Sequence, residues 1–395
     1  MSYRAIYAYA WDLAERSLPA VADEVASLGL DTITFAASYH AGKFLRPRGK
    51  FGKVYFPEDG TAYFKPTASR HGTLKPVENS LTAERDILRE LCDLKSVAVN
   101  AWLVLLHNTR LGALHPEATV RNAFGDRYLY SLCPSSPDAR RYAVALAKDI
   151  TDAYPVAGIS IESPGFAPYA HGFHHEFALV KPNRWLDNQL GLCFCDHCLA
   201  GAKAAGIDAS RLRGRVVDGV ESYLAGDFDL PDDMAEAFWL ADTRTDGDLG
   251  AFLSWRATVV TSLVAEIRAA VRADAAVAVI PSVARPTAGA WYEGSDLNAL
   301  AAAAGIVEAC FYERNAERVK ADAWDVKRRV GDAGKLRGIL RPAYPDLENA
   351  GEVSAAVAAL SAAGIGDIAF YNYGHLRQRS LDWIGAAMTA GGNRG

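Results

Sequence analysis

Three of the chain's 6 cysteines fall in one short run, Cys193-Phe194-Cys195-Asp196-His197-Cys198. Two near-adjacent thiols and a third three residues on let a tight turn aim the sulfurs at one centre. Zinc in a structural site suits such a set, but it closes on four donors, so one must come from elsewhere. A disulfide between Cys193 and Cys195 would be strained, which favours a metal or a thiol cluster. Glu162 ends the run Gly158-Ile159-Ser160-Ile161-Glu162. A carboxyl group placed there, partly desolvated and near a second carboxylate, could stay protonated near neutral pH and act as a general acid. The segment His171-Gly172-Phe173-His174-His175-Glu176 also carries donors. Adjacent histidines point in different directions in regular structure, so hydrogen bonding or substrate contact is expected there more than a second metal site.

These groups need a scaffold. Short β-branched and aromatic runs recur at 5–9, 32–36, 97–102, 158–161, 277–280, 306–311, 336–340 and 367–371. Helical stretches stand between them at 18–28, 81–91, 136–153, 249–273 and 350–363, the last stopped by Gly364. Eight βα units predict a (β/α)8 barrel, with active-site groups at the carboxyl ends of the strands. A doubly wound open sheet competes, but Ala10-Trp11-Asp12 stands where a glycine-rich phosphate loop would follow the first strand. Two connections are far longer than such units need, 38–79 after strand two and 163–248 after strand four. The expectation is one barrel over 1–395, with an inserted loop subdomain at about 163–248 that carries the cysteine run.

The order Ser131-Leu132-Cys133-Pro134-Ser135-Ser136-Pro137-Asp138, then Glu162 at a strand end, then the cysteine run, resembles the family 42 β-galactosidases and related barrel glycosidases. The resemblance spans about residues 129–200 and, beyond them, only the barrel layout. It implies a structural zinc held by Cys133, Cys193, Cys195 and Cys198, with Glu162 as the catalytic acid/base. His197 is an alternative fourth ligand. The pattern departs from the family at two positions: Ile161 stands where the family has Asn, and strand seven ends in Arg341 where its nucleophilic glutamate is expected. The second carboxylate must then come from another strand end, and Glu313 and Asp346 are the candidates, with Asp12 a further one. A separation of about 5 Å would suit a retaining nucleophile and about 6.5 to 9.5 Å an inverting water.

Sugar sites join hydrogen-bonding groups to aromatic faces. The strand ends offer Tyr9, Trp11, His40, His107, Asn108, Arg341, Tyr344, Tyr371 and Asn372, with Tyr39, Trp291 and Tyr292 nearby. Cys92 and Cys310 read as buried small hydrophobes. With 50% hydrophobic and 23% charged residues and a net charge of -5, the chain suits a folded protein acting on a small carbohydrate. A clustered basic surface for nucleic acid is missing, as are a signal-like leader and an apolar run of about 20 residues. A cytoplasmic protein, in which a homo-oligomer is possible, is therefore expected. Glycoside hydrolysis is the leading expectation. A carbohydrate lyase or isomerase using Glu162, His107 or His40 with Arg341 is the alternative, and a non-catalytic sugar-binding barrel is the third.

Overall fold

The computed structural model describes residues 3–170, 173 and 176–392, so His171, His174 and His175 lie outside the described residues. Its frame is eight parallel strands: β1 (Arg4–Ala8), β2 (Thr32–Tyr39), β3 (Ala98–Val104), β4 (Gly158–Glu162), β5 (Ala276–Ile280), β6 (Ile306–Cys310), β7 (Lys335–Leu340) and β8 (Asp367–Phe370). Neighbours in sequence are neighbours in the sheet. β1 pairs with both β2 and β8, Ile6 lying opposite Ile33 and Phe370, and this closes the expected (β/α)8 barrel.

The outer helices begin and end where side chains satisfy the free backbone groups. Ser136 accepts from the Ala139 amide and Pro137 opens the helix Pro137–Ala153. Asn315 and Asn349 cap Ala316–Val330 and Ala350–Ala362 in the same way. Gly364 turns the chain after the last of these at φ 82°, a left-handed conformation that favours glycine.

Both long connections lie on the strand-end side. After β2, the short strand Thr61–Ala62 runs antiparallel to β2, and Arg46 reaches back to Asp12 at 2.7 Å and Glu15 at 2.9 Å. The Arg46–Asp12 pair is almost fully buried. After β4, the helices Arg184–Leu190, Asp196–Ala204, Ala209–Ala225 and Asp232–Thr245 build a second small core around Leu186, Phe194, Leu212 and Trp239. Leu249 and Phe252, at the start of the long helix Gly247–Ala270, complete it. No helix among the described residues is long and apolar enough to cross a membrane.

Closure makes every second strand residue point inward, and the lower barrel uses this to bury a polar layer. The Tyr3 hydroxyl donates to Glu308 Oε1 at 2.9 Å and meets Thr34 Oγ1 at 2.7 Å. Ser160 donates to the other Glu308 oxygen and accepts from Asn100 at 2.9 Å. Arg337 lies over the Tyr3 ring, 3.7 Å from its centroid. Glu308 itself is wholly buried. Replacing it by Ala leaves the buried Tyr3 and Ser160 hydroxyls without that acceptor, so Glu308→Ala should cost about 3 kcal/mol in urea unfolding. Glu308→Gln should cost clearly less. An Ala variant as stable as the parent would show that the layer contributes nothing.

Candidate functional site

The inward alternation that places Ser160 in the buried layer places Glu162, two residues on, at the barrel mouth. Trp102 of β3 donates its indole N–H to Glu162 Oε2 at 2.6 Å. Trp102 is itself fixed edge-on to Tyr7 at 5.2 Å and to Tyr39 at 5.0 Å. Burial lifts the Glu162 carboxyl from 4.5 to about 7, against the opposing effect of the indole bond. The side chain nevertheless keeps partial contact with solvent, so a ligand can reach it. Ser163, the next residue, has φ 54°, an uncommon conformation for a non-glycine residue and one placed directly beside this carboxyl.

A second carboxyl lies close enough to feel its charge. Glu293 ends the 3-10 helix Thr287–Glu293, which follows β5, the barrel neighbour of β4. The Phe166 amide donates to the Glu293 carbonyl at 3.0 Å. A Cβ on Gly165 would meet that same carbonyl oxygen at 2.4 Å, so only glycine permits the approach. The loop leaving Glu162 is thereby fastened to the loop carrying Glu293. Ser282 donates to Glu293 Oε1. Burial lifts Glu293 to about 7 as well; the negative charge of Glu162 adds to the rise, while Ser282 and the Arg256 charge oppose it. Like Glu162, Glu293 remains partly exposed.

The carboxylates named from the sequence are held differently. Asp346 is fully buried between Arg285 Nη1 at 2.8 Å and Arg341 Nε. Glu313 meets Arg318 Nε at 2.5 Å, and it has the opposite parity to Tyr312, which borders Tyr371 in the mouth. Asp12 is engaged by Arg46, and burial raises its pKa to about 6.

Several aromatic candidates do gather at the mouth. The Tyr9 hydroxyl donates to Tyr39 at 2.9 Å and lies 2.6 Å from the Tyr371 hydroxyl. His40 stacks on His107 with centroids 4.2 Å apart. Others do structural work or stand apart. Trp11 is buried between Tyr9 at 4.2 Å and Tyr55 at 4.8 Å. Asn108 caps the helix Thr109–Leu114. Asn372 is wholly buried and accepts from the Gly374 amide at 3.1 Å. Tyr344 is 81% exposed.

The four cysteines converge. The Cys133 sulfur lies 3.8, 3.6 and 3.5 Å from those of Cys193, Cys195 and Cys198, and all four sulfurs lie within 4.8 Å of one another. A tetrahedron with metal–sulfur bonds of about 2.3 Å needs sulfurs about 3.8 Å apart, whereas a disulfide needs about 2 Å. The set therefore fits a metal ion. His197 is exposed, while Cys133 sits in the buried cluster. The amides of Arg121 and Ser135 donate to Cys193 and Cys133 sulfurs at 3.4 Å. Arg256, 3% exposed, packs over Phe166 at 4.4 Å and feels both the thiols and Glu293. It went unnoticed in the sequence because nothing in a helical stretch marks one arginine as buried. Cys92 and Cys310 are buried and unpaired, as expected.

The architecture is that of a closed (β/α)8 barrel with surrounding helices. Among solved structures, it resembles an α-L-fucosidase isoenzyme 2 from Paenibacillus thiaminolyticus, with a TM-score of 0.56 and 12% identity. That match covers 99% of this chain and 49% of the fucosidase, so the chain spans about half of that protein. It also resembles the PgaB (BpsB) glycoside hydrolase domain from Bordetella bronchiseptica, with a TM-score of 0.55, 16% identity and coverage of 98% and 99%. Identities this low establish the shared fold. No protein-family model matches the sequence, and no curated protein does.

Two measurements test the site as built. The folded state holds the Glu162 and Glu293 protons more tightly than the unfolded chain, so their burial costs stability as pH rises from about 4.5 to about 7. Glu293→Gln should flatten that fall by up to about 1 kcal/mol per pH unit in denaturant titrations at pH 5 and pH 8. An unchanged slope would mean that Glu293 titrates normally. The purified protein should also carry about one equivalent of a thiophilic metal by elemental analysis, and Cys133→Ser should lower both metal content and melting temperature. Metal-free protein that melts like the variant would contradict the cluster's role.

Proposed function

We propose that this protein is a glycoside hydrolase in which Glu162 is the general acid/base and Glu293 the carboxylate that works with it. One observation carries the reading: two partly exposed carboxyls, one at the end of β4 and one in the loop after β5, both lifted to about 7 by burial, with the charge of Glu162 adding to the rise of Glu293. Such a pair keeps one proton near neutral pH. The protonated member donates it to the glycosidic oxygen as the bond breaks through an oxocarbenium-like transition state. The ionised member attacks the anomeric carbon or activates water. Trp102 orients the acid, and the partly exposed ring of Tyr371, whose hydroxyl meets that of the buried Tyr9, supplies a face for the sugar. Asp346, which the sequence offered as a second carboxylate, takes a positioning role through Arg341, whereas Glu313, the other, pairs with Arg318 with its parity opposite to that of Tyr312.

The resemblance to family 42 supports zinc as the metal of the cysteine cluster. With four thiolates closing its sphere it would be structural, pinning the 163–248 subdomain of a single barrel beside the mouth. Thiolate ligation suits a reducing, cytoplasmic setting. A lyase reading draws support from Arg341, which could steady an enolate after proton abstraction by Glu162, His107 or His40; it predicts an unsaturated product.

The test is kinetic. Glu162→Gln and Glu293→Gln should each lower kcat/KM on a glycoside that the parent cleaves by about 10³-fold, with the fold and the metal content kept. The parent's pH profile should be bell-shaped with its maximum near neutrality. A Glu162→Gln variant that retains more than about a tenth of the activity would remove that residue from the mechanism.

A further inference from the structure

One cation beside the mouth has no part in the hydrolysis above. Arg341 follows β7 with the same inward parity as Arg337 and Ile339. Its guanidinium lies over the Tyr312 ring, 4.4 Å from the centroid. Tyr312 adjoins Tyr371 at 5.9 Å, Tyr371 adjoins Trp102 at 6.0 Å, and Trp102 holds Glu162. A continuous arc of rings thus leads around the mouth from the guanidinium to the acid. The one hydrogen bond that Arg341 makes among the described residues runs from Nε to Asp346, and its side chain is 24% exposed, so both Nη groups are left for a ligand.

The surrounding charges do not neutralise it. Asp346 is shared with Arg285, so two guanidinium groups meet one carboxylate and one positive charge is left over. The ring beneath and the Nε bond to the carboxylate behind also hold the guanidinium in place, which lowers the entropy lost when it binds an anion through two parallel hydrogen bonds. A neutral sugar gains little from such a group. An acidic sugar gains a directed, charge-assisted contact.

We propose that the substrate of this site is a glycoside of an acidic sugar, with its anionic substituent, a carboxylate or a sulfate ester, held by the Nη groups of Arg341. The inference rests on the hydrolase reading for turnover and on Arg341 alone for recognition, and the two can be separated.

The experiment compares kcat/KM for nitrophenyl D-glucuronides and D-galacturonides, both anomers, with the matching glucosides and galactosides and with a galactoside 6-sulfate. Binding of free glucuronate, galacturonate, glucose and galactose is measured alongside by calorimetry. The uronides should lead their neutral counterparts by about 100-fold, and in Arg341→Gln this ratio should fall to within about threefold of one, with Arg341→Lys between. Arg285 still holds Asp346 in these variants, and their melting temperatures verify folding. A sulfated galactoside leading the series with the same dependence on Arg341 supports the proposal and assigns sulfate as the anion. Uronate binding that depends on Arg341 without turnover of any glycoside upholds the recognition and overturns the hydrolase reading; an unsaturated product upholds it for a lyase. Neutral glycosides cleaved as well as acidic ones, a ratio indifferent to Arg341→Gln, or no response to any acidic sugar overturns it.

Discussion

Closure of the eight-stranded sheet is the constraint from which the rest follows. Once β1 pairs with both β2 and β8, alternate side chains have nowhere to go but the barrel interior, and each must be packed or hydrogen-bonded there. The lower layer satisfies this with Glu308 at the centre of Tyr3, Ser160 and Arg337. Toward the mouth the alternation continues with Trp102 and Glu162 and, two inward steps above Glu308 and Arg337, with Tyr312 and Arg341. A carboxyl in that position is surrounded by rings and poorly hydrated, which is why its proton is held to near neutral pH. The same geometry that stabilises the frame therefore prepares the acid.

The long connection after β4 fastens loops that a barrel alone would leave free. Cys133 lies ahead of the helix Pro137–Ala153, and the other three cysteines lie beyond β4, so a metal ion at the four thiols would tie the two flanks of Glu162 together. Arg256 sits between that cluster and Glu293, packed on Phe166, whose amide holds the Glu293 carbonyl. A buried cation in this position balances thiolate charge on one side and favours the ionised Glu293 on the other.

Most of the frame was legible in the sequence because its signals are local. β-branched runs of strand length separated by helical stretches marked the eight strands, and Gly364 marked one helix end. The cysteine set was legible through spacing and through the family 42 resemblance, since thiols are rare enough for position to mean something. Glu293 was not. It lies in a 3-10 turn well past the end of β5, where no periodicity fixes direction, and only its neighbours Trp291 and Tyr292 drew notice. Glu313 and Asp346 looked available because their arginine partners are set by tertiary contacts, although strand parity alone would have turned Glu313 away from Tyr312.

The claim on which the reading depends is that Glu162 and Glu293 form one coupled, partly desolvated pair. Selective carbon labelling of glutamate carboxyls, assigned with the Gln variants and followed by NMR across pH, measures this directly. The account predicts that both resonances titrate near pH 7, and that the Glu293 midpoint falls when Glu162 is replaced by Gln, because the like charge is gone. Two independent titrations near the ordinary 4.5 of a glutamate would contradict it.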